Sequence, residues 1–169
     1  MKKLNHGFTL LELVMVIAIA SIVLAGALPS MTQTIRNNTV ASQNMSMIAM
    51  LNFARSEAIR RNTDVTMVLS TSGNTWSATV QDPNDEEVVP GCDEGELRCT
   101  SNNNVAMSSA VSTLTFNNRG YIVDDSWSTT TMYLQHQQCS GLNQRSRIDI
   151  TPVGQVSSCS LACDSTAVC

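Results

Sequence analysis

Few side chains in this sequence are suited to bond-making chemistry. Its histidines are His6 and His136. A nucleophilic relay needs a histidine held between a nucleophile and an orienting carboxylate. His136 sits in Leu134-Gln135-His136-Gln137-Gln138, with no nucleophile elbow, phosphate loop or second histidine at metal spacing to go with it. It reads as a surface residue at a strand end, and no enzyme is expected. Six cysteines offer a second chemistry. Cys159 and Cys163 form C-x3-C, which lies within the range of zinc spacings. For an exported chain disulfides are the better reading, although sequence alone does not choose among the pairings of six cysteines. Cys92 and Cys99 flank a short acidic loop and are expected to pair locally. Asp82, Asn84, Asp85 and Glu86 cluster hard oxygen donors, as a calcium loop does. The run lacks the glycine and terminal glutamate of an EF-hand loop, so it reads as a solvated loop, and neither metal nor cofactor is expected. Arg145 and Arg147 are two apart and share one face of a strand, where Arg119 from a turn could join them on phosphates. From Ser30 onward, however, there are 8 arginines against 13 acidic residues, a net of −5 (8 − 13), which repels DNA at long range.

The most unusual titratable position is Glu12. It is the one charge in the 21 residues of 8–28. As a helix this run would be about 31 Å long, close to the thickness of a bilayer core. A carboxylate there costs roughly 2.5–3.5 kcal/mol on insertion scales, which a functional membrane helix has reason to carry and a secretory signal does not. Lys2 and Lys3 precede the run, and no Lys or Arg follows until Arg36. The positive-inside rule then places the N-terminus in the cytoplasm and the bulk of the chain outside. The competing reading is an ordinary signal peptide cut near Ala25-Gly26-Ala27. The apolar run counts against it, because it starts almost at once and reaches spanning length.

The elements that must carry these residues follow from patterning. The chain has 169 residues, enough for one domain, with 14% charged and 4% aromatic residues and a net charge of −4. Its core must therefore be aliphatic and Met-rich. Pro29 cannot continue a helical hydrogen-bond ladder, so a kink or local break is expected there. Beyond it, Met47, Leu51, Ala54 and Ala58 recur at spacings of four, three and four, which predicts an amphipathic helix over 30–61. Glu57 and Arg61 form an i,i+4 pair on its outer side. Residues 64–70 and the alternating Trp76, Ala78 and Val80, joined by Thr71-Ser72-Gly73-Asn74, predict a hairpin. A second hairpin is expected from 113–116 through Asn117-Asn118-Arg119-Gly120 to 121–123. Further strands are expected at 132–135, 147–150 and 154–158, and a loop over 81–104.

Gly7-Phe8-Thr9-Leu10-Leu11-Glu12-Leu13, behind a short basic leader and before an apolar run, resembles the type IV prepilin signature. The long helix followed by a small sheet, Phe116-Asn117-Asn118-Arg119-Gly120 as a central hairpin, and 147–150 followed by Gly154 resemble the GspH/FimT family of minor pilins and pseudopilins. The resemblance implies an α+β, pilin-like fold: a long bent N-terminal helix packed on a small antiparallel sheet and stapled by disulfides. It implies a leader at 1–7, a membrane or filament-core half-helix at 8–29 and a periplasmic domain at 30–169, with helix to 61 and a β-rich part over 62–169. It further implies peptidase cleavage between Gly7 and Phe8, methylation of the Phe8 amine, and a role for Glu12 in assembly against that amine. A Cys139–Cys159 bridge is similar to the one usual in the family, which leaves Cys163 with Cys169.

The implied role is structural and non-catalytic: a minor pilin that enters or primes a type IV pilus. The implied partners are other pilins or pseudopilins and the prepilin peptidase. The implied location is the inner membrane, with a periplasmic domain, and then the pilus. Two alternatives stand beside it, a minor pseudopilin of a type II secretion system and a pilus-tip DNA receptor. DNA-binding members of the family carry Gly-Arg-any-Arg near the C-terminus. Here the stretch is Gly154-Gln155-Val156-Ser157, so DNA is not an expected partner.

Overall fold

The computed structural model describes residues 8–82, 89–123, 127–141 and 143–165. Helix α1 runs from Leu10 to Arg61. Eight strands follow: β1 Val65–Ser72, β2 Thr75–Gln81, β3 Glu96–Asn102, β4 Val105–Ser109, β5 Thr113–Phe116, β6 Thr130–His136, β7 Gln144–Ile150 and β8 Val156–Ala162. They form two four-stranded antiparallel sheets, ordered β3-β2-β1-β5 and β4-β6-β7-β8. The chain divides into two compact units, Met1–Ile35 and Arg36–Cys169.

In the second unit the helical stripe expected from the sequence is the buried one. Val40, Met47, Met50, Leu51, Ala54 and Ala58 share one core with Val65, Met67 and Leu69 of β1, Trp76, Ala78 and Val80 of β2, and Met132, Leu134, Ile148 and Ile150 of β6 and β7. The alternation of buried and half-buried positions along β1, β2, β6 and β7 is the period-two signature of sheets with one face inward. The helix ends where Asn62 takes a left-handed φ of 54° and Thr63 N–H donates to the Ala58 carbonyl at 3.3 Å. That capping geometry suits Asn.

Four expectations change. The helix is unbroken through Pro29, so the local break is not found. Glu57 is not on the outer side of the helix but buried. The loop expected over 81–104 contains strand β3, and β4 follows it directly. Of β3 only Glu96 and Leu97 are buried, because it is an edge strand and most of its residues need no apolar side chain; its polar Arg98 to Asn102 therefore carries no hydrophobic alternation to read. Residues 121–123 form a single bridge, Phe116 with Ile122, rather than a strand.

Candidate assembly surfaces

The N-terminal unit exposes a long apolar surface with Glu12 as the one charge in it. Phe8, Leu10, Leu11, Leu13, Val14, Met15, Val16, Ile17, Ile19, Ile22, Val23 and Leu24 are all exposed, and the most apolar 18-residue window of the helix has no buried share. A helix that is apolar all round is built for lipid or for other helices. Its hydroxyls do not break that surface: Ser21 Oγ donates to the Ile17 carbonyl at 2.7 Å and Thr34 Oγ1 to Ser30 at 3.0 Å. The start of the helix is capped by Thr9, whose Oγ1 accepts from the Glu12 backbone N–H at 3.2 Å. Thr9 and Glu12 thus stand in the Thr-x-x-Glu spacing of a capping box. The cap leaves Phe8 ahead of the helix and puts Glu12 in its first turn, where an acidic side chain complements the positive helix end. That spacing was legible in the sequence but lies inside the leader signature, which masks it. Gly7 lies outside the described residues, as do Asn84, Asp85 and Glu86.

In the second unit one arginine holds two turns against the helix. Arg55 donates from Nε to the Gly120 carbonyl at 3.1 Å and from Nη2 to the Val153 carbonyl at 3.2 Å. Ile122 N–H donates to the Pro152 carbonyl at 2.9 Å, so the turns also bond to each other. Gly120 and Gly154 have φ of 76° and 74°. A Cβ on Gly120 would lie 2.8 Å from Ile59 Cδ1 and 2.9 Å from Arg55 Nε. Both glycines serve conformation and close approach at once. Nothing in the local sequence around Arg55 signals these carbonyl partners.

Near the end of the helix, Glu57 accepts from Arg60 and, at 2.9 Å, from Arg61, and Arg61 reaches the buried Asp82 at 3.4 Å. The hydrogen bond from Arg60 holds the Glu57 carboxyl below its ordinary value against the opposing push of burial, and Arg61 adds to the lowering. Asp82, weighed as a calcium donor, is instead an ion-pair partner that ties β2 to α1.

The cysteine expectations divide. Cys92–Cys99 is present, with Cα atoms 5.6 Å apart. Cys139 pairs with Cys163, not Cys159, at a Cα separation of 5.4 Å. The expected Cys163–Cys169 bridge is therefore excluded, while Cys159 is also disulfide-bonded. The register explains the exchange. Cys159 lies opposite Arg147 in mid-strand, whereas Cys163 follows the end of β8 beside Asn143, its N–H donating to the Asn143 carbonyl at 3.0 Å. Cys92, Glu96 and Cys99 lie close enough to suggest a metal cluster, but both sulfurs are consumed by the disulfide.

The three arginines considered for DNA are not one free cluster. Arg147 donates to Asp149 Oδ1 at 2.9 Å. Arg145 stacks 4.8 Å from the Tyr133 ring centroid and donates from Nη2 to the Ser165 carbonyl. Arg119 stands apart from them, exposed in the turn after β5. His136 Nδ1 accepts from the Gln138 N–H at 3.1 Å, a local turn contact.

Residues 43–154 match the family described as "Type II transport protein GspH", and residues 2–28 match the "Prokaryotic N-terminal methylation motif". Two crystal structures of the type IV minor pilin FimU from Pseudomonas aeruginosa share the fold. One, in space group P65, has TM-score 0.51 at 19% identity, covering 70% of this chain and 90% of that one. The other, in P21, has TM-score 0.52 at 20% identity, covering 71% and 87%. No curated protein sequence matches the chain significantly.

Proposed function

The chain belongs to the GspH family, and from that premise we propose that it is a structural subunit of a filament anchored in the inner membrane: a minor pilin of a type IV pilus. The observation that carries the proposal is the apolar start of α1, exposed through residue 26, capped by Thr9 and bearing the lone charge Glu12. A peptidase cuts between Gly7 and Phe8, and the Phe8 amine is methylated. The apolar helix first holds the subunit in lipid and then passes into a bundle of like helices. Glu12 of one subunit meets the Phe8 amine of its neighbour. Neutralising both charges in a low dielectric favours leaving the bilayer and fixes the axial register. Pro29 marks where the helix can bend as it leaves the membrane.

The family description favours a second reading, the minor pseudopilin of a type II secretion system. The fold shared with a type IV minor pilin supports the first. Recovery of the chain in filaments sheared from the cell surface supports the pilus subunit. Its absence there, with co-isolation of secretion-system components from membranes, supports the pseudopilin.

A further inference from the structure

The face of β7 that meets the helix changes character along the strand. Ile150 and Ile148 belong to the core, but Ser146 and Gln144 follow them on the same side. Ser160 of β8 lies opposite Ser146, and Ser158 opposite Ile148. Across from them α1 brings Asn37, Ala41 and Asn44, spaced by four and three and so on one helix face. These three elements enclose an open cavity of about 200 Å³, and none of its lining residues is charged. Arg145, Arg147 and Asp149 fall on the other face of β7, because side chains alternate along a strand. The polar groups of the cavity are only partly paired. Asn44 Nδ2 donates to Ser158 Oγ at 3.2 Å, the Gln144 backbone N–H to Asn37 Oδ1 at 3.0 Å, and Ser160 Oγ to Gln144 Oε1 at 2.9 Å. Asn44 Oδ1 is buried without a partner. Ser146 is only 5% exposed, and its hydroxyl makes no hydrogen bond among the described residues. The same is true of Asn37 Nδ2 and Gln144 Nε2. Buried polar groups are normally paired, so unpaired ones converging on one cavity point to something bound there.

We infer that this cavity binds a neutral saccharide through one of its sugar rings. The inference goes beyond the filament-subunit reading and does not depend on it. The unpaired groups select the ligand's chemistry. Asn37 and Gln144 offer N–H donors, Asn44 a carbonyl acceptor and Ser146 a hydroxyl that does either. A cation would face the two free N–H donors, and an anion would face the free Asn44 carbonyl. Sugar hydroxyls donate and accept, so a ring presenting several of them satisfies both kinds of group at once. Ala41 and the 70% exposed Met45 supply an apolar side to the cavity. That side suits the C–H face of a ring, and the thioether of Met45 adapts to its shape. A volume of about 200 Å³ is below the roughly 300–1,000 Å³ of sites for drug-sized ligands, so the cavity holds one ring.

The test uses the full chain, purified in a zwitterionic detergent that carries no sugar headgroup. The neutral probes are the methyl glycosides of glucose, galactose and mannose, and N-acetylglucosamine. Glucuronate and glucosamine are the charged comparators. Saturation-transfer NMR reads binding, and side-chain amide shifts locate it. At least one neutral probe should bind saturably in the millimolar range and move the side-chain amide signals of Asn37, Asn44 and Gln144. The charged probes should bind at least tenfold more weakly. Asn44→Leu and Ser146→Ala should each weaken the neutral probe at least tenfold. Ser146→Ala removes only an unpaired hydroxyl and should unfold at the wild-type midpoint, so its binding loss is not a folding loss. Oligosaccharides of the tightest probe distinguish the source: equal affinity assigns the cavity to free sugars, and tighter binding assigns it to a glycan chain. No saturable binding of any neutral probe would mean that the cavity holds only water, and would overturn the inference. Charged probes binding as tightly, or affinity unchanged in both variants, would overturn it as well.

Discussion

Gly154 passes so close to Gly120 that a Cβ on it would lie inside the van der Waals shell of the Gly120 carbonyl oxygen and 3.0 Å from Arg55 Nε. Backbone cannot yield there as the far end of a flexible side chain can. Gly154→Ala should therefore cost about 2–4 kcal/mol, from strain at positive φ plus the lost turn–turn contact. Gly73→Ala, also at positive φ but with open space around it, should cost only about 1–2 kcal/mol. Denaturant unfolding of the 36–169 unit measures both; equal costs would refute the close-approach argument.

Arg55→Lys keeps the charge but not the fork that reaches two carbonyls. It should destabilise the same unit by about 1–2 kcal/mol. Hydrogen exchange should quicken first at Ile122 and Gly154, whose N–H groups bond across and within the joined turns.

Glu57 gives a pH dependence of defined sign. Its carboxyl lies below the ordinary value when folded, so its stabilisation is fully present above the unfolded pKa. It is lost as pH falls through the folded value. Stability of the wild-type unit should decline over that acid range, and Glu57→Gln should show a shallower decline with lower stability near neutrality. Unfolding midpoints measured across the range, parallel for the two proteins, would count against the ion network.

The Cys139–Cys163 bridge closes a segment with a sequence separation of 24. In the chain-entropy picture a loop of this size is worth about 3 kcal/mol. Paired replacement of Cys139 and Cys163 by Ala should cost about that much. Non-reduced peptide mapping should recover Cys139 linked to Cys163, and a Cys139–Cys159 peptide would contradict the structure.

The unit should bind duplex DNA no better than weakly at physiological salt, because Arg145 and Arg147 are engaged by Ser165 and Asp149. Micromolar or tighter affinity in a fluorescence titration, lost in Arg145→Ala/Arg147→Ala, would revive the DNA-receptor alternative.

The helix, its buried stripe and most of the strands were legible because Met47, Leu51, Ala54 and Ala58 keep a helical period and Trp76, Ala78 and Val80 keep a strand period. The prepilin signature is local and needs no tertiary context. What escaped depended on partners distant in sequence. Glu57 has the spacing of an exposed helix pair, but it is buried, and its partner Arg61 also reaches Asp82, 21 residues away. Arg55 bonds carbonyls 65 and 98 residues away. The cysteine exchange turned on which end of β8 lies beside Asn143, a matter of strand register that spacing does not encode.

The central claim is that the apolar half-helix, after cleavage at Gly7, builds this chain into a surface filament. It is tested most directly by intact-mass measurement of the chain extracted from sheared filaments, in wild type and in Glu12→Ala. The account predicts a wild-type species of 162 residues (169 − 7) beginning at a methylated Phe8. The mature chain contains no lysine, so the Phe8 nitrogen is its one amine, and the methyl group is assignable to it by amine-specific labelling. Glu12→Ala should be cleaved and folded but depleted from filaments at least tenfold. A chain cut near Ala27, or Glu12→Ala present in filaments at wild-type level, would contradict the account.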